Sequence, residues 1–391
     1  MRIAVLTNAP TPYRAPIFER IAAAPGVEVR VFFDSASGAT VVDDKPAYPH
    51  EHLKSAFSVR RRCYQDDNWF AERVAMRFAF GYLPRLASFR PDVIVSGEFG
   101  WRTLNAATYA VLARIPLLVW WEGTRFTERK SGPLRYGVRR ALLRASAGLL
   151  GFGRVSVAYL GDIAGEKTPI YFVPQSVANS EIATATDRWR LQREQVREEI
   201  GVRGVALLCL SRLLPHKGIP QYLDALVRLG QVVPEGAFTA LFVGDGPEAA
   251  LVDQTAEKLG GAIRTIGMVS PSELPRLFAA SDVLVFPTLR DCWGMVVNEA
   301  LAAGIPVLGS RYAGAAEELL SNDAVGAVID PLAPSSLDAA LVAAVRDHKW
   351  LDTSPSRLRQ ALEGYSCEDA ADEILRAIET SLARAGSHTR V

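Results

Sequence analysis

At 391 residues, 49% hydrophobic and 22% charged, the chain is too long for one ordinary core, and two soluble globular domains are expected. No run of about 18 uncharged apolar residues occurs, which excludes a helical membrane span; the four cysteines, Cys63, Cys209, Cys292 and Cys367, lack C-x-x-C spacing, which argues against a zinc site or disulfide framework and fits a reducing cytoplasm. The net charge of +1 hides an asymmetry, since residues 1–180 hold 24 Lys+Arg against 15 Asp+Glu while the remainder holds 20 against 28. A basic first half suits an anionic surface or acceptor, although plain solvated faces account for it equally well.

The opening Met1-Arg2-Ile3-Ala4-Val5-Leu6-Thr7-Asn8 reads as a short strand and not as a signal peptide. Strands are predicted at 2–7, 27–33, 92–96, 116–121, 148–152 and 170–173. Helices lie between them, including 15–24, 69–88, 102–113 and 133–146. The polar stretch from Ser176 to Gly201 holds the expected connection, with a charged helix at 187–200. From Gly204 a second series follows, with strands at 205–210, 238–243, 263–266, 282–286 and 306–309. The alternation argues for parallel sheets with helices on both faces. A last amphipathic helix, about 367–385, follows the turn-like Gly364-Tyr365-Ser366. The domains are read as 1–180, with the last helix returning to it, and 203–365.

The most informative stretch is Arg290-Asp291-Cys292-Trp293-Gly294-Met295-Val296-Val297-Asn298-Glu299. It follows the buried strand Asp282-Val283-Leu284-Val285-Phe286 and runs into a helix that Gly304 and Pro306 stop. Asp291 therefore lies at the carboxyl end of a strand and Glu299 about a turn into the next helix. The first helical amides, near Gly294 to Val296, lack intrahelical partners and suit an anion. The segment resembles the E-x7-E signature of retaining, nucleotide-sugar-dependent glycosyltransferases of the GT-B fold (family 4, the group 1 glycosyltransferases), with Asp291 in place of the first Glu. The resemblance implies an α/β fold of two doubly wound, Rossmann-like domains facing across a cleft. The first would bind the acceptor and the second the nucleotide sugar.

By that resemblance, Ser211-Arg212-Leu213-Leu214-Pro215-His216-Lys217-Gly218 matches the family's G/S-R-L-x-x-x-K-G segment. Arg212 and Lys217 would hold the donor diphosphate, with Ser211 beside them. Two fixed cations can stabilise a departing diphosphate without a metal. Gly244-Asp245-Gly246 would let the backbone approach the nucleotide, and the loop with Met268 and Val269 would edge the base. Glu299 would accept from the ribose diol, and Asp291 would hold hydroxyls of the transferred sugar. Trp293, Gly294, Met295 and Val296 would line the phosphate. Gly309 to Glu317 resembles the family's S-x-x-G-G-x-x-E loop, with Ala315 replacing the second Gly.

The first half matches less closely. Its Asn8-Ala9-Pro10-Thr11-Pro12-Tyr13-Arg14 turn, similar to the P-T-P-Y-R opening of some relatives, points to Arg14 as a substrate contact. Trp121-Glu122-Gly123-Thr124-Arg125 offers Glu122, either as a catalytic-site carboxylate or as a plain partner of Arg125; Glu98 is a weaker candidate of the same kind. The five histidines form no ligand cluster, so neither a metal nor another cofactor is indicated.

Leu134, Val138, Leu142 and Ala145 repeat at helical spacing among arginines, and Arg60-Arg61-Arg62 extends the charge. This surface can rest on an anionic membrane or stay solvated.

The reading is a metal-independent retaining hexosyltransferase, with a nucleotide-diphosphate sugar as donor and a saccharide or lipid-linked acceptor. Its setting would be surface polysaccharide or glycolipid assembly, in the cytoplasm or at the inner face of the cell membrane. No nucleic acid partner is called for. An epimerase of the same fold and a catalytically decayed sugar-binding protein are the alternatives; a dinucleotide dehydrogenase is disfavoured because no G-x-G-x-x-G follows the first strand.

Overall fold

Apolar, β-branched runs at regular intervals give this chain two separate parallel sheets. A computed structural model describes residues 1–34, 46–53, 55–64, 71–128, 133–165 and 168–388, with the backbone alone at 55–64, 71–77, 133–135, 387 and 388. The strands are β1 (Arg2–Thr7), β2 (Glu28–Phe33), β3 (His50–His52), β4 (Ser55–Tyr64), β5 (Ala71–Ala79), β6 (Val93–Gly97), β7 (Leu117–Trp121), β8 (Gly148–Phe152) and β9 (Ile170–Val173). They continue as β10 (Val205–Leu210), β11 (Phe238–Val243), β12 (Ile263–Gly267), β13 (Val283–Phe286), β14 (Val307–Ser310) and β15 (Gly326–Ile329).

The first unit comprises residues 1–176 and 365–391, and the second residues 177–364. In the first, seven parallel strands run in the order β3-β2-β1-β6-β7-β8-β9. Alternate residues feed opposite faces. Ile3, Val5, Val31, Val95 and Trp120 pack with the helices Ala15–Ala23 and Cys367–His388; Ala4, Leu6, Ile94, Val119 and Trp121 pack with Tyr82–Phe89 and Trp101–Ala113. A parallel strand covered on both sides has no solvent face, which is why these runs carry almost no polar residues. Ala370, Ala371, Ile374, Ala377 and Ile378 of the last helix are buried in the first of those cores.

The second unit holds six parallel strands in the order β12-β11-β10-β13-β14-β15. The order reverses between β10 and β13, and in such sheets the loops leaving the carboxyl ends at that point diverge and leave room for a ligand.

Two predicted helices are corrected. In place of a helix over 69–88, residues 71–79 form β5, antiparallel to β4 with Arg61 opposite Val74, and the helix Tyr82–Phe89 follows; residues 69 and 70 lie outside the described residues. The helix-forming Ala, Glu, Arg and Met residues of 71–77 yield to strand pairing, and Gly81, left-handed at φ 96°, bars one continuous helix. The charged helix of 187–200 is two, Asn179–Arg190 and Arg193–Glu199. Different partners hold them: Arg190 donates to the carbonyls of Ala303 and Gly304, while Arg193 and Arg197 reach Asp282. Strands β3, β4 and β15 are absent from the sequence reading.

Asp282 closes this arrangement. Its carboxylate accepts from Arg193 at 2.5 Å, from Arg197 at 2.9 Å and from the Ala206 amide at 2.7 Å. It thereby ties the connecting helix to the starts of β10 and β13. Asp282→Ala removes the counter-charge of two part-buried guanidinium groups, which keep only backbone carbonyls as partners, and the acceptor of one amide; it is expected to destabilise the second unit by about 2 kcal/mol. A lower urea midpoint at unchanged slope is the readout.

Candidate active site

Strand β10 ends at Leu210, and the chain turns back over its own sheet. Ser211 donates its amide to Val243 at 3.1 Å, and Leu213 donates to Asp245 at 2.9 Å, so the loop after β10 is laced to the Gly244-Asp245-Gly246 turn after β11. Gly244 is required there: at φ 134° a Cβ would stand 2.0 Å from the Ser211 carbonyl oxygen. Asp245 turns its Oδ1 onto the Gly246 amide at 2.7 Å.

A short 3-10 turn, Pro215–Lys217, ends in Gly218 at φ 71°. A Cβ on Gly218 would lie 1.9 Å from the Pro287 carbonyl oxygen, so only glycine permits this crossing of the post-β10 and post-β13 loops. The buried His216 carbonyl accepts from the Leu289 amide at 2.8 Å and from Thr288 Oγ1 at 3.2 Å, sealing the same junction.

The crossing sets Lys217 Nζ 2.6 Å from Asp291 Oδ2, with the Phe286 ring centroid 5.6 Å from the ammonium. Asp291 Oδ1 accepts the Trp293 amide at 3.2 Å, and the Asp291 amide donates to Tyr312 at 3.1 Å. Trp293 itself is spent inside the unit: its indole N–H donates to Asn298 at 2.7 Å and its carbonyl accepts from Ala315. Gly314 lies under this loop, where a Cβ would come within 2.7 Å of the Cys292 oxygen.

Gly294 caps the helix Met295–Ala303. The amides of Gly294, Met295 and Val296 have no hydrogen-bond acceptor among the described residues, and they carry the positive end of the helix dipole.

Glu299 lies one turn further along the same helix. No hydrogen bond or ion pair engages its carboxyl among the described residues, and burial, with no cation to offset it, pushes its pKa up to about 7. The side chain is half-buried, so the carboxyl is partly desolvated while its oxygens still reach solvent. Arg212 is exposed and carries no ion pair among the described residues. Met268 is 80% exposed at the end of β12, and Val269 is half-buried beside it.

In the first unit, Arg14 is locked in place. Its Nη2 meets Glu122 Oε1 at 2.5 Å, Nη1 donates to Thr7 Oγ1 and Asn8 Oδ1 at 3.1 and 3.2 Å, and its Cζ stacks 4.4 Å from the Trp120 ring centroid. Glu122 thus pairs with Arg14, while Arg125 lies over the Phe126 ring. Glu98, with a left-handed backbone at φ 66°, extends an exposed side chain 3.4 Å from Arg102. These residues all follow β1, β6 or β7 at the carboxyl edge of that sheet.

Phe286, Pro287, Thr288 and His216 were missed as parts of the site. No motif marks them; only the pairing of β10 with β13 makes their loops neighbours.

Residues 192–362 match the family model of glycosyl transferases group 1. Over 175 residues the chain is 32% identical to the GDP-mannose-dependent alpha-(1-6)-phosphatidylinositol monomannoside mannosyltransferase of Mycolicibacterium smegmatis, covering 42% of this chain and 44% of that protein. It is 26% identical over 182 residues to the lipopolysaccharide glucosyltransferase WaaG of Escherichia coli, covering 46% of each. The chain thus spans less than half the length of either relative. The crystal structure of HepE from Anabaena in complex with UDP superposes with a TM-score of 0.72 over 97% of this chain and 100% of that one, at 19% identity. That likeness shows the fold, two Rossmann-like domains of the GT-B type.

Glu299 makes stability depend on pH. Its folded pKa lies above the ordinary 4.5, so the native state holds the proton more tightly, and stability falls as pH rises from about 4.5 to about 7. Glu299→Gln removes the penalty. It is expected to be more stable than the parent at pH 8 by about 2 kcal/mol and equal to it near pH 4.5, measured by urea unfolding at both pH values.

Proposed function

We propose that this chain is a group 1 glycosyl transferase that moves a hexosyl unit from a nucleotide-diphosphate sugar to a saccharide or lipid-linked acceptor. The observation that carries the reading is the 2.6 Å contact of Lys217 with Asp291, which joins the loops after β10 and β13 where the strand order reverses. On the same unit stand the exposed Arg212, the amides at the head of a helix and the carboxyl of Glu299, none with a partner among the described residues.

Those groups divide a sugar nucleotide between them. Arg212, Lys217 and the amides of Gly294 to Val296 take the diphosphate, whose negative charge grows as the glycosidic bond breaks. Glu299 accepts from two vicinal ribose hydroxyls, a match that its two oxygens provide. Gly244 and the 268–269 loop flank the nucleoside. The reaction retains configuration and needs no metal: the leaving diphosphate, steadied by two cations, takes the acceptor's proton on the face from which the acceptor attacks.

The first unit takes the acceptor, with Arg14 and Glu122 as a neutral pair that binds hydroxyls. By their names, the mycobacterial relative mannosylates a phosphatidylinositol monomannoside and WaaG glucosylates lipopolysaccharide, which supports surface glycolipid or polysaccharide assembly here.

A peripheral contact with anionic lipid belongs to the same proposal. The helix Pro133–Ala145 exposes Tyr136, Val138, Arg140 and Arg144, while Leu142 and Arg139 are buried, so the apolar stripe expected from the sequence is partly core. The side chains of Arg60-Arg61-Arg62, Leu134 and Arg135 lie outside the described residues. Arg140→Glu with Arg144→Glu is expected to lower co-sedimentation with phosphatidylserine vesicles severalfold at low salt while leaving donor affinity unchanged.

The test of the reaction begins with thermal shifts in UDP, GDP and ADP, since a ligand of the native state raises its melting temperature. With the matching sugar nucleotide and an acceptor, Glu299→Ala is expected to raise donor KM at least about tenfold, and Lys217→Ala to lower kcat about a hundredfold. Near-normal kinetics in both variants would remove the assignment. Donor conversion without any acceptor would point to the epimerase instead.

A further inference from the structure

Asp291 already carries contacts that an anionic ligand would otherwise make. One oxygen lies 2.6 Å from the Lys217 ammonium, the other accepts the Trp293 amide at 3.2 Å, one residue before the cap of the helix Met295–Ala303. An ammonium beside backbone amides at a helix start is a donor set for phosphate, and 2.6 Å is the spacing of a charge-assisted hydrogen bond. Here a carboxylate from the chain itself fills part of it.

We propose that Asp291 is an internal counter-anion, competing with the donor's diphosphate for Lys217. It weakens the hold on the nucleoside diphosphate and so eases release of that product. The proposal rests on the reading that Lys217 binds the diphosphate.

Three features support it. The Asp291 backbone is fixed, its amide on Tyr312 and a β-bridge to Ala313, so the carboxylate is held in place and is not a wandering surface group. The pair is poorly exposed, 15% at the lysine side chain and 21% at the aspartate, so salt and water screen it incompletely. Both carboxylate oxygens are engaged within the chain, one by Lys217 and the other by the Trp293 amide, which holds the carboxylate against the lysine. The nearby Arg212 has no such internal anion among the described residues. Of the two cations, Lys217 is therefore the one whose charge is regulated.

The experiment is calorimetric titration of UDP, GDP and ADP into the full chain and into Asp291→Asn, Asp291→Ala, Lys217→Ala and the Asp291→Ala/Lys217→Ala double variant. For the nucleotide that binds the parent, both Asp291 variants are expected to bind about tenfold tighter, with a parallel fall in its inhibition constant as product. Lys217→Ala binds more weakly, and most of the gain from Asp291→Ala disappears in the double variant, because the aspartate acts through the lysine. The isosteric Asp291→Asn keeps the test open should the alanine variant fold poorly.

Unchanged or weaker diphosphate binding in the Asp291 variants overturns the proposal. So does a gain that persists in full without Lys217. Weaker binding of the sugar nucleotide alone, with the diphosphate unaffected, would return Asp291 to the sugar. A parent chain that binds none of the three diphosphates brings down the underlying reading as well.

Discussion

The second unit depends on a crossing of two backbones, in which Gly218 passes so close to the Pro287 carbonyl that no side chain fits between them. The crossing converts two unrelated loop ends into one surface. His216 and Thr288 hold it by hydrogen bonds that take no part in any charge, which leaves Lys217 and Asp291 to face each other. A methyl group at position 218 would have to move the lysine loop and the aspartate loop apart together, because close-packed backbone has nowhere to yield. The geometry of the ion pair and the packing of the unit are therefore one constraint at this point.

The two units treat charge differently at their carboxyl edges. In the second, the helix amides, Arg212 and Glu299 have no protein partner among the described residues, and the half-buried Glu299 bears a desolvation cost. Such costs concentrate where a ligand relieves them. In the first unit, Arg14 is satisfied four times over, by Glu122, Thr7, Asn8 and the Trp120 ring. A satisfied ion pair is a rigid, nearly neutral platform, suited to hydroxyl groups more than to phosphate.

The second unit is an insertion in the first. The chain leaves the first unit after Ser176 and rejoins it at Tyr365, and the helix Cys367–His388 supplies Ala370, Ile374 and Ile378 to the core around β1 and β2. That core is incomplete until residues 367–378 are in place, so its contacts are of high sequence separation and their loop-closure cost spans the whole second unit between them.

Most of the sheet strands and the helix after Gly294 could be read from residue order, because each rests on local periodicity and on glycine and proline punctuation. The 71–79 stretch could not: its side chains favour a helix when alone, and only pairing with β4 makes it a strand. Likewise the motifs supplied Lys217 and Asp291 as separate letters, 74 positions apart. That they meet, and that Glu122 meets Arg14 across 108 positions and not its neighbour Arg125, was decided by strand order in the two sheets. Local propensity acts along the chain, whereas an ion pair forms between whatever residues the topology brings within reach.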